Sequence, residues 1–242
     1  AGLLVRGGGV GEGAVWRKSG GRCEVLGGCL PEKFRRDARL VFWDFDGVIK
    51  DSVAVKTEAF VQLFESFGEE VSTRVRAHHE AHGGMSRFEK IPVYMAWGGL
   101  PITDSGVAEY CRRFADLVIR SVVDAPWVAG VERILRHNPY GQEFVLVTAT
   151  PQQEIADILA AIELQHCFAE VFGAPVKKGA AIRSCLAHRD VAPDRCLMIG
   201  DARADLEAAA ENGIPFLLRR HASNQEVFSN YTGDSVEDFV GL

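Results

Sequence analysis

The sequence of 242 residues has no apolar run close to the roughly 18 residues that a membrane-spanning helix needs. Positive charge is also scarce: 27 Lys and Arg stand against 33 Asp and Glu, a formal net charge of −6. Without a long basic run, this balance offers no general field for nucleic acid or an anionic bilayer. We therefore expect a soluble, cytoplasmic protein with neither nucleic acid nor membrane as a partner.

The six cysteines form no recognisable framework. They include no C-x-x-C pair, and no histidines stand at zinc-finger spacing from them. Scattered cysteines of this kind are typical of reduced, mostly buried thiols. The pattern therefore predicts neither disulfides nor a zinc finger.

Residues 1–38 differ in character from the rest of the chain. They are rich in glycine and hold seven Lys and Arg against four Asp and Glu, so we expect an appendage of flexible or poorly ordered chain. Gly9, Gly11 and Ala14 fit G-x-G-x-x-A, a pattern typical of dinucleotide-binding loops, but the helix and the acidic residue that the motif requires do not follow. Nucleotide binding by this segment is a disfavoured alternative.

From Leu40 onwards, short apolar runs alternate with helical patterns. The runs LVFW, EFVLVT, CLMIGD and PFLLR suit strands buried on both faces of a parallel sheet. After the second run, Thr150 as N-cap, Pro151 at the first helical position and Gln153 in a capping box predict a helix start. Its apolar face consists of Ile155, Ile158, Leu159 and Ile162. A further helix should follow CLMIGD and end at Asn212-Gly213. This order predicts an α/β fold: a Rossmann-like parallel sheet flanked by helices.

Residues 53–125 interrupt the alternation and contain helical patterns without a buried strand. One predicted helical face holds Phe60, Leu63, Phe64 and Phe67. An insert of this kind between the first and second strands predicts an all-helical cap domain over the edge of the sheet. We therefore expect an N-terminal appendage at 1–38, an α/β core domain at 39–52 and 126–242, and a cap at 53–125.

Reactive side chains stand where the predicted strands end. They are Asp44, Asp46, Thr148, Lys177 or Lys178, Asp201 and Asp205. Ligands of open parallel sheets bind beyond the carboxyl ends of the strands, so these groups should share one site. Carboxylates that meet there repel one another unless a hard cation such as Mg²⁺ neutralises them. A lysine and a hydroxyl nearby would bind phosphoryl oxygens, so the set predicts phosphoryl transfer.

The two aspartates of DFDG can divide that chemistry. One can attack phosphorus to give an aspartyl-phosphate. The other, two residues on, can protonate the leaving alcohol and then deprotonate the attacking water. Gly47 allows the chain to turn tightly behind them.

These motifs resemble those of the haloacid dehalogenase-like (HAD) phosphotransferases. DFDGVIKDS resembles their first motif, D-x-D-G-V/I/L-x-x-D-S, and GDARAD resembles their fourth, G-D-x-x-x-D. Thr148 matches the second motif, a Ser or Thr that ends a strand, and Lys178 matches the third better than Lys177 does. Order and spacing agree across about residues 40–220, so the resemblance covers most of the chain.

The resemblance implies a role for each motif residue. Asp44 would be the nucleophile and Asp46 the general acid/base, with Thr148 and Lys178 completing the catalytic set. Asp44, the backbone carbonyl of Asp46 and Asp201 would hold Mg²⁺. Asp205 would support that metal site.

The segment GGMSRFEK of the insert resembles the G-x-S-R cap loop of β-phosphoglucomutase-like members of the family. The resemblance implies that Gly84, Ser86 and Arg87 bind substrate, Arg87 through a second anionic or hydroxyl-rich group. In the alternative, Arg87 is a surface residue that pairs with Glu89.

The sequence HHEAH, at residues 78–82, places His78 and His82 on one helical face, as in some zinc sites. The zinc-protease pattern requires glutamate directly after the first histidine, where His79 stands here. We therefore expect these histidines to be solvated or to pack within the cap. The alternative is that one of them reaches the substrate.

The leading hypothesis is a Mg²⁺-dependent phosphatase that hydrolyses a small phosphorylated metabolite, a sugar or sugar-acid phosphate. A sugar-phosphate mutase of the β-phosphoglucomutase type shares the first chemical step and is the alternative within the fold. A non-catalytic HAD-like binding module is the alternative from another class. The sequence leaves the individual ester and the oligomeric state open.

Overall fold

The structure is a computed structural model that describes residues 37–240 in full and the backbones of residues 15–19 and 22–26. Strands β1 (Val15–Ser19) and β2 (Arg22–Leu26) pair antiparallel within the N-terminal segment. The G-x-G-x-x-A pattern at residues 9–14 lies outside the described residues, so the disfavoured alternative of nucleotide binding there is not tested.

A six-stranded parallel sheet forms the centre of the fold. Its strands are β3 (Leu40–Trp43), β4 (Glu143–Pro151), β5 (Glu170–Ala174), β6 (Cys196–Gly200), β7 (Phe216–Arg219) and β8 (Ser235–Val236). They lie in the order β5-β4-β3-β6-β7-β8. The predicted α/β class with a parallel sheet is confirmed.

Strand β3 lies between β4 on one side and β6 on the other, so the order of the sheet reverses there. All four of its residues are buried, and the amide of Asp44 donates to the carbonyl of Ile199 at 3.0 Å. The tip of β3 is therefore held on both sides. Reversal points of this kind open the crevice in which open α/β sheets bind ligands.

The two faces of the sheet follow from alternation along β3. Val41 and Trp43 belong to one hydrophobic cluster, whereas Leu40 and Phe42 belong to another. Helices α5 (Val131–His137) and α6 (Gln152–Ala161) contribute to the first cluster, and α7 (Lys178–His188) and α8 (Arg203–Glu211) to the second. Helices thus cover both faces, which explains why the strands are continuously apolar.

The prediction for helix α6 is confirmed for its apolar face and wrong for its first residue. Its predicted stripe is buried at Ile155, Ile158 and Leu159. The predicted start is wrong, because the helix begins at Gln152 with Pro151 as N-cap and has no side-chain cap bond. The predicted cap at Thr150 fails because β4 continues through Pro151 and the Thr150 hydroxyl is bonded within the site described below.

Four helices lie between β3 and α5: α1 (Val53–Phe64), α2 (Glu69–Ala81), α3 (Arg87–Trp97) and α4 (Asp104–Asp124). Aromatic packing joins them, since Phe60 of α1 stacks on Phe114 of α4 with ring centroids 3.9 Å apart. The predicted helical insert is therefore observed. Over the described parts of the chain, none of the helices combines the length and apolarity of a membrane span.

Candidate active site

Three aspartates converge at the carboxyl ends of β3 and β6. Asp44 follows β3, and Asp201 and Asp205 follow β6. All three are buried, and one carboxylate oxygen from each lies within 4.8 Å of the others. The structure thus brings together three side chains that the sequence predicted for one site.

Two glycines make this close approach possible. A Cβ added at Gly47 would lie 2.1 Å from Oδ2 of Asp201, and the φ of Gly47 is +75°. A Cβ at Gly200 would lie 2.2 Å from Cβ of Asp205. Any side chain at either position would push an aspartate out of place. Steric exclusion therefore explains why glycine stands at both motif positions.

Lys178 lies between two of the aspartates. Its Nζ is 2.8 Å from Oδ2 of Asp44 and 2.5 Å from Oδ1 of Asp205, and its side chain is 7% exposed. The neighbouring Lys177 is 79% exposed and pairs with Glu89 of α3 at 3.0 Å. The structure therefore places Lys178 in the site and Lys177 on the surface beside α3.

Asp205 is fully engaged by donors of the chain itself. Its Oδ2 accepts the amides of Asp201, at 3.2 Å, and Ala202, at 3.0 Å, while its Oδ1 accepts Lys178. It thereby fixes the start of α8 and the position of the lysine. This geometry suits a supporting role beside a metal site.

Burial disfavours the charged forms of these carboxyls. The pKa of Asp44 is raised to about 7, by burial first and by the charge of Asp205 second, against the opposing effect of Lys178. Burial also raises the pKa of Asp201 and of Asp205. Mutual repulsion of this kind is relieved by a cation, and a cluster of carboxylate oxygens is the donor set that Mg²⁺ prefers. Asp44 and Asp201 therefore fit a magnesium site.

The Asp46 side chain lies apart from that cluster. Its carboxylate accepts Ser52 Oγ at 2.6 Å, Lys56 Nζ at 2.5 Å and Thr150 Oγ1 at 3.1 Å. Burial raises its pKa, but the Lys56 charge and these hydrogen bonds outweigh burial, so the pKa is lowered overall. Any metal contact of Asp46 would have to come from its backbone carbonyl, which stays a prediction.

A cavity of about 80 Å³ separates the strand ends from helices α1 to α4. Asp44, Asp46, Thr148 and Asp201 line it from the sheet. A larger cleft of about 590 Å³ adjoins it and contains Lys178. Thr148 lies between the two spaces and lines both.

The three residues of the predicted cap loop are separated in the structure. Gly84 lines both spaces, whereas Ser86 lines only the larger cleft and accepts the amide of Phe88 as N-cap of α3. Arg87 lines the small cavity, but its Nη2 pairs with Oε1 of Glu154 at 2.5 Å, and both side chains are buried. The pairing with Glu89 considered as an alternative does not occur, because Glu89 contacts Lys177.

Sequence reasoning missed several residues of the site. Lys56 and Lys90 line the cavity from α1 and α3. His221, which follows β7, approaches Asp201 with its Nε2 2.8 Å from Oδ2, and Asn224 donates to the Asp201 carbonyl. The position of His221 at the carboxyl end of a strand was a usable signal. Nothing in the local pattern marked the two lysines on helices.

Two of the three histidines at residues 78–82 contact other side chains of the helical insert, and the third lines the cavity. His78 and His82 stack on each other with centroids 4.1 Å apart, and His78 Nδ1 lies 3.1 Å from the Tyr94 hydroxyl. His79 is buried and lines the cavity. The middle histidine is thus the one that faces the space available to a substrate.

Comparison with known proteins gives the same class as the fold and the site. The profile of the haloacid dehalogenase-like hydrolase family matches residues 41–218. The chain belongs to this family, so the resemblance and the prediction of a HAD-like phosphatase are confirmed.

Individual relatives agree with that class. The chain is 27% identical over 190 residues to the phosphorylated carbohydrates phosphatase of Thermotoga maritima, covering 72% of this chain and 81% of the relative. It is 26% identical to phosphoglycolate phosphatase 1 of Pseudomonas aeruginosa, covering 73% and 67%. The crystal structure of β-phosphoglucomutase from Clostridium difficile superposes with a TM-score of 0.67 at 17% identity, covering 85% and 93%.

Proposed function

We propose that the chain hydrolyses a small phosphorylated metabolite, a sugar or sugar-acid phosphate, through a phosphorylated Asp44 and with Mg²⁺ as cofactor. The observation that carries the proposal is the buried ion pair of Asp44 with Lys178, at 2.8 Å, at the tip of β3. Asp201, which follows β6, lies beside it. The named activities of the Thermotoga and Pseudomonas relatives support an ester of this class.

The contacts of the Asp44 side chain support its proposed role as nucleophile. Its Oδ1 accepts the amide of Phe45 at 2.7 Å, and its Oδ2 contacts Lys178. Both oxygens are therefore fixed at the end of a strand that is itself held on two sides, which limits the loss of orientation that slows bimolecular reactions. Lys178 would also hold a phosphoryl oxygen close to the attacking carboxylate.

Asp46 would handle the protons. Protonated, it would donate to the leaving oxygen of the ester; as a carboxylate, it would accept a proton from the water that releases phosphate. Lys56, Ser52 and Thr150 hold it in the carboxylate form in the present arrangement. The acid role therefore requires these contacts to loosen when substrate enters.

The metal would be held by Asp44 and Asp201, with Asp205 positioning Lys178 and the start of α8. When bound, Mg²⁺ would neutralise the carboxylates and supply positive charge opposite the phosphoryl oxygens. Asp201 is positioned from behind by His221 and Asn224.

Phosphate release tests this proposal. The purified chain with Mg²⁺ should release phosphate from a panel of sugar phosphates, sugar-acid phosphates and short polyol phosphates. Asp44→Asn should reduce kcat by about 10³-fold or more, since it removes the nucleophile. The exposed Asp190→Asn is the matched control and should leave the rate unchanged.

Two outcomes would overturn the proposal. A sugar phosphate converted into its isomer without net phosphate release would identify a mutase. No turnover of any ester in the panel, with the folded state verified, would favour a non-catalytic module.

A further inference from the structure

Lys90 is a buried lysine of the cavity that the proposed mechanism does not use. It lies on α3, one helical turn beyond Arg87, and its side chain is 1% exposed. Its Nζ lies 2.9 Å from Nδ1 of His79, and both residues line the same cavity as Asp44. The ammonium group therefore borders the space in which the proposed substrate would be attacked.

Among the described residues, Lys90 has no carboxylate partner, unlike the other buried lysines of the site. Lys56 pairs with Asp46, and Lys178 pairs with two aspartates. The nearest acidic residue along α3, Glu89, pairs with the exposed Lys177 instead. Burying the charge of a lysine without an anion is costly, and a buried titratable side chain that borders a cavity is a candidate for binding a ligand.

Among the described lysines and arginines that line the cavity from α1 and α3, Lys90 alone has no carboxylate within ion-pair distance. Arg87 is neutralised by Glu154, and Lys56 by Asp46. Burial holds the pKa of His79 well below its usual value, so its imidazole is neutral and accepts from Lys90. One ammonium with a neutral partner matches a monoanion better than a phosphate dianion.

We infer that Lys90 is a specificity-determining residue that binds a carboxylate carried by the same substrate whose phosphate ester is attacked at Asp44. The inference rests on the proposed function. It moves the recognition of a second anionic group, which the sequence assigned to Arg87, to the residue one turn further along α3. Burial lowers the pKa of Lys90 to about 7, and a bound carboxylate would restore its charge.

The test compares two esters that differ only in that anion: 2-phosphoglycolate and 2-hydroxyethyl phosphate. The parent should have the higher kcat/KM for phosphoglycolate. Lys90→Met should lower the ratio of the two kcat/KM values by about tenfold or more, because a hydrogen bond between charged groups is lost. Lys90→Gln, which keeps a donor without charge, should do the same. Lys177→Met is the matched control and should leave the ratio unchanged.

A binding measurement keeps this test separate from turnover. Calorimetry with 3-phosphonopropionate and 3-hydroxypropylphosphonate, which are not hydrolysed, should show the same selective loss in Lys90→Met. Absence of phosphate release would then count against the proposed function, and only the binding data would decide the role of Lys90.

Three results would overturn the inference. In the first, Lys90→Met weakens both ligands of each pair by the same factor, as a purely structural residue would. In the second, it weakens neither. In the third, the parent prefers ethylene glycol bisphosphate to phosphoglycolate, which would mean that the second anionic group of the substrate is a phosphate and not a carboxylate.

Discussion

Arg87 of α3 and Glu154 of α6 form a buried ion pair between the helical insert and the helix that follows β4, with Nη2 and Oε1 2.5 Å apart. The guanidinium also lies over the ring of Phe114, 4.5 Å from its centroid. The arginine of the predicted substrate loop therefore joins the insert to the sheet side of the molecule. A second, exposed contact between the same parts is Lys177 with Glu89.

Breaking the Arg87–Glu154 pair should destabilise the fold. Glu154→Gln leaves the buried guanidinium of Arg87 without a counter-charge, which should lower the unfolding free energy by about 3 kcal/mol. Arg87→Met leaves the buried carboxylate of Glu154 without a counter-charge and should have a similar effect. The double variant should recover most of that loss, because no lone buried charge remains. Urea unfolding of the four proteins measures the coupling.

The control for this cycle is the exposed pair Arg112–Glu109 on α4. Arg112→Met should change the unfolding free energy by no more than about 0.5 kcal/mol, as exposed pairs usually do. If Glu154→Gln were as mild as Arg112→Met, the buried pair would not hold the insert against α6.

Lys90 should make stability depend on pH. Burial lowers its pKa to about 7 in the folded protein, whereas the unfolded chain has the ordinary lysine value of about 10.4. Between these values the unfolded chain binds more protons, so the contribution of this group to stability rises with pH. Lys90→Met removes the penalty and should be more stable than the parent at pH 7.5, with a smaller advantage at pH 9.5.

Urea unfolding at the two pH values checks this prediction. The advantage of Lys90→Met should shrink by roughly 2 kcal/mol over those two units. Lys177→Met, whose side chain is exposed, should show a difference from the parent that is flat with pH. An advantage of Lys90→Met that stayed the same or grew from pH 7.5 to 9.5 would mean that Lys90 keeps its proton in the folded protein and would contradict the prediction.

Lys56 should act through Asp46 as a positioning residue. Its Nζ lies 2.5 Å from Asp46 and 2.8 Å from the Thr150 hydroxyl. Lys56→Met should therefore lower kcat by about 10²-fold with little change in KM, since acid–base catalysis needs a positioned carboxyl. Steady-state kinetics separate the two constants. A raised KM with unchanged kcat would show that Lys56 binds substrate and does not position Asp46.

Much of the fold and of the site could be predicted because both follow from a parallel sheet that helices cover on both faces. Apolar runs such as LVFW are continuous since helices cover both faces of the sheet, and the residues after them meet because parallel strands end on one edge. Asp44, Asp201, Asp205 and Lys178 are therefore found where the chain order indicated.

The remaining contacts depend on tertiary packing between segments far apart in sequence. Lys56 bonds Thr150, 94 residues away, and Arg87 bonds Glu154, 67 residues away. No local pattern records such pairs, so nothing in the sequence indicated that Glu154 pairs with Arg87, and Thr150 was wrongly predicted to cap a helix. The domain boundaries at 38, 52 and 125 and the chemical roles of the site residues stay predictions.

The central claim is that Asp44 becomes phosphorylated, and chemical trapping tests it most directly. An acyl phosphate is reduced by borohydride, which would convert the aspartate at position 44 into homoserine. In the Asp46→Asn variant, mixed with an aryl phosphate whose leaving group needs no proton donor, the phosphorylated form should accumulate, because the base that activates water is lost. After the protein is mixed with an ester that the parent hydrolyses and is then treated with borohydride, peptide mass spectrometry should find homoserine at position 44 and not at positions 201 or 205. Steady phosphate release by the parent, with no homoserine at position 44 in either protein, would contradict the account.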